Sequence, residues 1–352
     1  MDLSYLFYLS SGLFLGWSLG ANDAANIFGT AVGSKMVRFS TIASVACIFV
    51  IIGAVFSGSG TSRTLENLGA VNALPGAFMV ALSAALAVYM MVRIGITVST
   101  SQAIVGSIIG WNIYAGKPTD LSTLAQIVGT WTTCPLISGI VAICLYMCLK
   151  KLQKCSSMHL LMRDQITRIC LILTAAVGAY ALGANNIANV VGVFIESCPF
   201  NPLNFGKVLT LNSLQVLFLL GALAIGVGIL TYSHKVIKTV GNNLMRMSPT
   251  VALIIVLSQA TVLLLFSSVN LHNWLESASL PTIPLVPVSS TQAVIGAILG
   301  IGLIKGGRGV NWSIVGKLVV GWVTAPLMAM LICFISLFFL ENVFNQVVYA
   351  AN

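Results

Sequence analysis

A polar motif with the spacing of an ion site occurs twice in the chain. Gly20–Asn26 has the sequence GANDAAN, and it recurs as GANNIAN over Gly183–Asn189. In a helix, Asn22 and Asn26 lie one turn apart on the same face, and Asp23 is adjacent to Asn22. Amide and carboxylate oxygens are hard ligands that suit a small cation. The motif therefore predicts a cation site.

Asp23 is the strongest support for a cation site, because it is the one acidic residue that falls inside an apolar stretch. A carboxyl group at the centre of a membrane helix costs ~2.5 to 3.5 kcal/mol on insertion scales, so it usually marks an ion path or a proton relay. The alternative is structural: an Asn ladder that joins helices, with Asp23 kept neutral by a proton. The repetition of the motif, with flanking glycines both times, favours the ion site.

A second motif, rich in hydroxyl groups, is also repeated. Val98–Gly106 reads VSTSQAIVG, and Val288–Gly296 reads VSSTQAVIG. Both contain the Ser/Thr-x-x-Gln pattern of a capping box ahead of an apolar run, which predicts a helix start. Gly95 precedes the first copy, and three prolines precede the second. The chain before each predicted helix therefore cannot be a regular, continuous helix. Unpaired N–H groups, a partial positive charge and hydroxyls at such a start would cradle an oxyanion. Ordinary capping without a ligand is the alternative.

The composition places these motifs in a membrane. Hydrophobic residues make up 58% of the 352 residues and charged residues 7%, whereas a soluble domain has about 25% charged residues. Apolar stretches such as 41–56, 208–230, 251–269 and 318–340 approach the ~20 residues that a helix needs to cross the hydrocarbon. The sequence thus predicts an all-α polytopic membrane protein with broken or re-entrant helices and about 10–12 membrane segments.

Charge and repetition predict how the chain is organised. Five crossing units, near 5–30, 40–57, 75–92, 94–111 and 121–149, precede a basic segment. If Met1 starts outside, every basic residue except Arg63, Lys117 and Lys207 falls on the cytoplasmic side, as the positive-inside rule requires. An odd number of crossings inverts the second copy relative to the first. We therefore expect a first inverted repeat over 1–149, a basic cytoplasmic linker over 150–165 and a second repeat over 166–352.

The two motif pairs resemble those of the PiT inorganic phosphate transporter family, which includes bacterial Pit proteins and the mammalian sodium-phosphate symporters. The segment Lys235–Gly241 (KVIKTVG) is similar to a pattern of that family as well, and the resemblance spans nearly the whole chain. It implies a homodimeric, elevator-like carrier in the cell membrane that imports phosphate in symport with Na⁺ or H⁺. One position departs from the family: Asn186 stands where the second motif usually has Asp, which leaves the ion stoichiometry open.

The site residues follow from these motifs and from the resemblance. The cation or coupling site is expected at Asn22, Asp23, Asn26, Asn185, Asn186 and Asn189, with Na⁺ at Asp23, Asn26, Asn186 and Asn189. The phosphate site is expected at Ser99, Thr100, Ser101, Gln102, Ser289, Ser290, Thr291 and Gln292. The expected partners are inorganic phosphate, the lipid bilayer and a second copy of the chain, with no nucleic acid and no cofactor other than the coupling ion.

Other functions stay open at this point. Hydroxyls and helix starts do not by themselves separate phosphate from sulfate or another oxyanion, and a passive anion channel would use the same groups. An intramembrane enzyme is disfavoured, because the sequence contains no His-Glu-x-x-His, no Gly-x-Ser-x-Gly and no Cys/His pair at catalytic spacing.

Overall fold

The protein is a bundle of apolar helices that pack along their small residues. The computed structural model describes residues 3–33, 36–69, 71–155, 159–205, 209–237, 248–307 and 310–350. The helices are α1 (Leu3–Gly33), α2 (Phe39–Ser57), α3 (Ser59–Leu68), α4 (Leu74–Arg93), α5 (Thr100–Ala115), α6 (Leu121–Cys155), α7 (Leu160–Val191), α8 (Ser213–Thr231), α9 (Ser233–Val236), α10 (Pro249–Leu265), α11 (Val269–Ser277), α12 (Ser290–Ile304) and α13 (Trp312–Asn342).

Long apolar helices confirm the polytopic membrane fold. In the described part of the chain, α2, α4, α6, α7, α8 and α13 are long and apolar enough to cross a membrane. The pair α10 and α11 adds a seventh candidate if its two helices, bent by 60°, form one span. This count is lower than the ten to twelve segments expected. One reason is that α5 and α12 are 16 and 15 residues long, shorter than the ~20 residues of a full span.

Glycines allow the motif-bearing helices α1 and α7 to approach their neighbours at backbone distance. A Cβ atom on Gly20 of α1 would lie 2.0 Å from the carbonyl oxygen of Ile225 in α8. A Cβ atom on Gly183 of α7 would lie 2.1 Å from the carbonyl oxygen of Val50 in α2. These glycines occupy the same position in the two copies of the first motif. Each copy is therefore held tightly by a helix from the other half of the chain.

The short helices α5 and α12 are fixed in the same way. A Cβ atom on Gly106 of α5 would lie 2.1 Å from the carbonyl oxygen of Pro326 in α13, and one on Gly296 of α12 would lie 2.1 Å from that of Pro135 in α6. Both prolines are inside their helices, where the ring removes one backbone hydrogen bond. Each helix start thus rests on a proline-bearing helix of the opposite half.

Some boundaries differ from the sequence-based expectation. The stretch 208–230 was expected to be one span, but α8 begins only at Ser213, after the two-stranded antiparallel hairpin β1 (Leu203–Phe205) and β2 (Leu209–Leu211). Asn212 caps α8 through a complete capping box with Gln215. The linker expected over 150–165 is largely helical, since α6 extends to Cys155 and α7 begins at Leu160. Lysines with long aliphatic stems can continue a helix at a membrane surface while their charges stay in water.

Several basic residues used in the charge argument lie outside the described residues. They are Lys35, Lys207, Lys238, Arg246 and Arg308. The part of the Lys235–Gly241 segment from residue 238 onwards lies outside them too.

Candidate functional site

The two copies of both motifs come together in one buried polar cluster. Its residues are at most 2% exposed, apart from Asn26 at 8%. A cluster of this polarity inside an apolar bundle costs free energy unless its groups find partners. The members are Asn22, Asp23, Asn26, Ser99, Thr100, Ser101, Asn185, Asn186, Asn189, Ser289, Ser290 and Thr291.

Both helix starts lie where the sequence predicted them. The Ser99 side chain accepts a hydrogen bond from the backbone N–H of Gln102 at 3.2 Å, and Ser289 accepts from that of Gln292 at 3.3 Å. Both caps are serines in extended backbone conformation. The capping box itself is only half formed, because the Oε1 atoms of Gln102 and Gln292 have no hydrogen-bond partner. The remaining N–H groups of the first turns stay available.

The first motif contacts the segments that precede both helix starts. Asn22 Nδ2 donates to Asp23 Oδ1 at 2.7 Å and to the carbonyl oxygen of Val98 at 2.8 Å. Asn26 Nδ2 donates to the hydroxyl of Thr291 at 3.1 Å and, more weakly, to that of Ser290 at 3.4 Å. Asn22 therefore supports the start of α5, while Asn26 supports the start of α12.

The second motif makes corresponding contacts. Asn185 Oδ1 accepts from the backbone N–H of Val288 at 2.9 Å, and its Nδ2 donates to the carbonyl oxygen of Val286 at 3.4 Å. Asn189 Nδ2 donates to the hydroxyl of Ser101 at 2.8 Å and to Asn186 Oδ1 at 2.9 Å. Asn185 thus supports the start of α12, and Asn189 that of α5. Asn26 and Asn189, which are equivalent in the two copies, therefore make equivalent hydrogen bonds, each to a hydroxyl at the helix start of the other half.

The copies differ at one position. In the first copy, the Asp23 carboxylate accepts from Asn22 and from the hydroxyl of Ser290. The corresponding residues of the other copy are Asn186 and Thr100, but there Asn186 Nδ2 and the Thr100 hydroxyl are both buried without a partner. Buried donors without partners cost ~1 to 3 kcal/mol each. They mark a place where an acceptor would be bound favourably.

Unpartnered acceptors lie in the same cluster. Asn22 Oδ1 and Asn189 Oδ1 are buried without hydrogen-bond partners. Together with the Asp23 carboxylate they are oxygen ligands of the kind that a small hard cation takes. Among the described residues, no group of three or more His, Cys, Asp or Glu side chains could hold a metal ion. Any cation here would thus depend on amide and carbonyl oxygens and on a single carboxylate.

Gln102 and Gln292 lie on a different face of their helices from the hydroxyl groups. Both line an apolar pocket of about 980 Å³ between α6 and α13, together with Gly106 and Gly296 one turn further along. The pocket also contacts Trp131 and Trp322, whose indole N–H groups have no partner. The two glutamines are therefore set apart from the cluster that Ser101 and Thr291 join.

Sequence reasoning missed some groups of the site. The backbone carbonyl oxygens of Val98 and Val288 accept side-chain hydrogen bonds, a role that side-chain identity does not signal. Gln259 of α10 is 1% exposed, and neither polar atom of its amide has a partner. Leu263, one turn further along α10, accepts from Asn185 through its carbonyl oxygen. A lone amide within the apolar run 251–265 was the signal that could have identified Gln259.

Comparison with known proteins decides the family. The model described as "Phosphate transporter family" matches residues 19–333 and 274–350. The chain belongs to the phosphate transporter family. The resemblance read from the motifs is thereby confirmed. Since this is a family of transporters, the expectation that the chain is not an enzyme is confirmed as well. The expectation of a multi-pass membrane protein is also confirmed.

Individual relatives of the phosphate transporter family agree. The chain is 29% identical over 335 residues to a protein of Methanocaldococcus jannaschii described as "Putative phosphate permease", with 95% of each chain covered. A protein of the same description from Haemophilus influenzae is 23% identical over 430 residues, covering 97% of this chain and 98% of the relative. A solved structure described as "The sodium-dependent phosphate transporter" has a TM-score of 0.76 at 21% identity, covers 96% of this chain and 98% of its own, and shows the shared fold.

Proposed function

We propose that this protein imports inorganic phosphate across the cell membrane in symport with a cation, and that Na⁺ is that cation. The observation that carries the proposal is the buried cluster in which two helix starts meet: it holds unpartnered donors at Thr100 and Asn186 and a carboxylate at Asp23. The names of the relatives supply the substrate, and the sodium dependence of the structural neighbour favours sodium as the coupling ion.

Phosphate would bind at the donor side of the cluster. The starts of α5 and α12 offer backbone N–H groups and the positive ends of two helix dipoles. The Thr100 hydroxyl and Asn186 Nδ2 add donors without the insertion cost of a buried Arg or Lys. We therefore place Asn186 with the phosphate ligands rather than with the cation ligands. Gln102 and Gln292 line the apolar pocket, which supports an indirect role for them.

The cation would bind at the acceptor side. The oxygen ligands available there are the Asp23 carboxylate and the unpartnered Oδ1 atoms of Asn22 and Asn189. A cation close to the helix starts favours the anion electrostatically, and the anion favours the cation by the same free energy. This reciprocity is what symport requires. A carboxylate beside the anion also accepts a hydrogen bond from protonated phosphate, which sulfate at neutral pH cannot offer, so Asp23 favours phosphate over sulfate.

Transport needs alternating access, and the cluster is buried on all sides in the present conformation. The matched contacts of Asn26 and Asn189 in the two motif copies support inverted repeats. We propose an elevator-like movement of the helix starts within a homodimer. The basic segments then lie in the cytoplasm and the ends of α5, α7 and α13 lie outside.

Purified protein in liposomes tests this function. Uptake of labelled phosphate is measured under a sodium gradient alone and under a pH gradient alone, with sulfate as competitor. We expect concentrative uptake driven by sodium and little inhibition by sulfate. Uptake that only equilibrates phosphate would mean a channel. Uptake that sulfate suppresses at equal concentration would mean a general oxyanion carrier.

A further inference from the structure

A second pocket lies far from the polar cluster, at the end of the bundle where α6 ends and α7 and α10 begin. Its volume is about 380 Å³. Each helix contributes residues three or four apart, so one face of each helix forms a wall. The lining residues are Leu149, Leu152 and Gln153 of α6, Arg163, Ile166, Thr167 and Cys170 of α7, and Thr250 and Leu253 of α10.

The pocket is polar at one end and apolar along its length. Arg163 is exposed and lies in the first turn of α7, at the end of the bundle. Cys170 lies seven residues further along the same face, about 10 Å deeper at 1.5 Å per residue. Ile166, Leu149 and Leu253 line the space in between. This shape fits a molecule with an acidic group at Arg163 and an apolar chain that runs into the bundle.

The charge around the pocket favours an anion. Lys150 and Lys151 at the end of α6 are exposed near the same end of the bundle. Asp164 is the one acidic residue within α6, α7 and α10. Basic pockets between membrane helices attract anionic lipid headgroups, with about 1 kcal/mol for each basic residue near the surface.

We propose that this pocket binds an anionic phospholipid from the surrounding leaflet, with its phosphate at Arg163 and one acyl chain along Ile166 and Leu253. Free phosphate would use only Arg163 and would leave the apolar walls without an occupant. A lipid uses both parts of the pocket, and the bilayer supplies it at high local concentration.

Native mass spectrometry of the purified full chain tests the proposal. The protein in mild detergent is titrated with phosphatidylglycerol or with phosphatidylcholine, and the bound lipids are counted. We expect preferential binding of phosphatidylglycerol. Arg163→Gln should weaken it by about fivefold, the equivalent of one basic contact. Arg168→Gln is the matched control, because it removes the same charge from the same helix without touching the pocket.

Further experiments distinguish lipid binding in the pocket from general attraction by surface charge and from binding of a free anion. Leu253→Trp fills the apolar part and should weaken phosphatidylglycerol binding while Arg163 is intact. Inorganic phosphate and water-soluble glycerophosphate should not displace the lipid. Equal losses for Arg163→Gln and Arg168→Gln, wild-type binding by Leu253→Trp, or displacement by soluble phosphate would each overturn the proposal. These outcomes do not depend on whether the protein transports phosphate.

Discussion

Ser101 and Thr291 tie the two helix starts to each other. The Ser101 hydroxyl lies 3.3 Å from the carbonyl oxygen of Val288, and the Thr291 hydroxyl lies 3.3 Å from that of Val98. Each hydroxyl also accepts from an Asn of the opposite half, Asn189 for Ser101 and Asn26 for Thr291. Because the contacts are reciprocal, neither helix start can leave the cluster without breaking hydrogen bonds at the other. We expect the two starts to move as one body during transport.

Close helix contacts should make Gly106 sensitive to a single methyl group. A Cβ atom there would lie 2.1 Å from the carbonyl oxygen of Pro326, so α5 and α13 must separate. Overpacking of this kind typically costs about 1 to 3 kcal/mol. Gly106→Ala should lower the melting temperature of the protein in detergent. The melting temperature is measured by a thermal unfolding assay that does not rely on a thiol-reactive dye. Gly129→Ala in α6 is the control, since no atom lies within 4 Å of the added group. Equal stability of the two variants would contradict this packing.

The charge of the side chain at position 186 should control the relative affinity of the site for phosphate and for sodium. Asn186→Asp replaces a buried donor by a negative charge close to the proposed phosphate. Phosphate affinity should fall more than in Asn186→Ala, which removes the donor without adding charge. The dependence of uptake on sodium should become steeper, because a second carboxylate attracts a cation. Both are measured as uptake in liposomes over a range of phosphate and sodium concentrations. Identical behaviour of the two variants would exclude an electrostatic role for this position.

Membrane orientation can be checked with single cysteines. Arg163 and Glu276 are exposed at opposite ends of the proposed topology, and Asp120 shares the side of Glu276. Arg246, expected beside Arg163 in the cytoplasm, lies outside the described residues. In a background without native cysteines, an impermeant reagent added to intact cells should label Glu276→Cys and Asp120→Cys but not Arg163→Cys. External labelling at all three positions would be incompatible with the inverted arrangement.

Asp23 should couple phosphate to the cation gradient. Asp23→Asn preserves the size of the side chain and one carbonyl oxygen but removes the charge. If Asp23 only joins helices, the amide serves as well, and accumulation survives. On our account, the variant is inserted normally and still exchanges phosphate weakly, while gradient-driven accumulation collapses. The measurement is concentrative uptake at matched expression. Wild-type accumulation with unchanged ion dependence would remove Asp23 from the mechanism.

The sequence predicted the local features of the site well. Both helix starts lie at Ser99 and Ser289, because a serine cap is a property of a few neighbouring residues. Burial of Asp23 was also predictable, since the surrounding stretch is apolar on both sides. Repetition in the sequence further indicated that the two copies of each motif should meet.

Contacts between segments that are distant in the sequence could not be predicted from local patterns. The pairing of Asn26 with Thr291 rather than with its own half depends on how the helices pack, and no local pattern encodes it. The capping boxes failed to close because Gln102 and Gln292 line the pocket between α6 and α13. The hairpin before α8 was missed because its apolar residues continue the hydrophobic run of the helix.

The dissociation constant of phosphate tests the central claim, that phosphate binds between the starts of α5 and α12. Thr100→Val removes a buried unpartnered hydroxyl at the start of α5, and Ser107→Ala removes another two turns further along the same helix. A hydrogen bond to a charged group contributes about 1.5 to 3 kcal/mol, so Thr100→Val should bind labelled phosphate about 10- to 150-fold more weakly. Ser107→Ala should bind it like the wild type. Unchanged phosphate binding by Thr100→Val, at the same sodium concentration, would contradict the account.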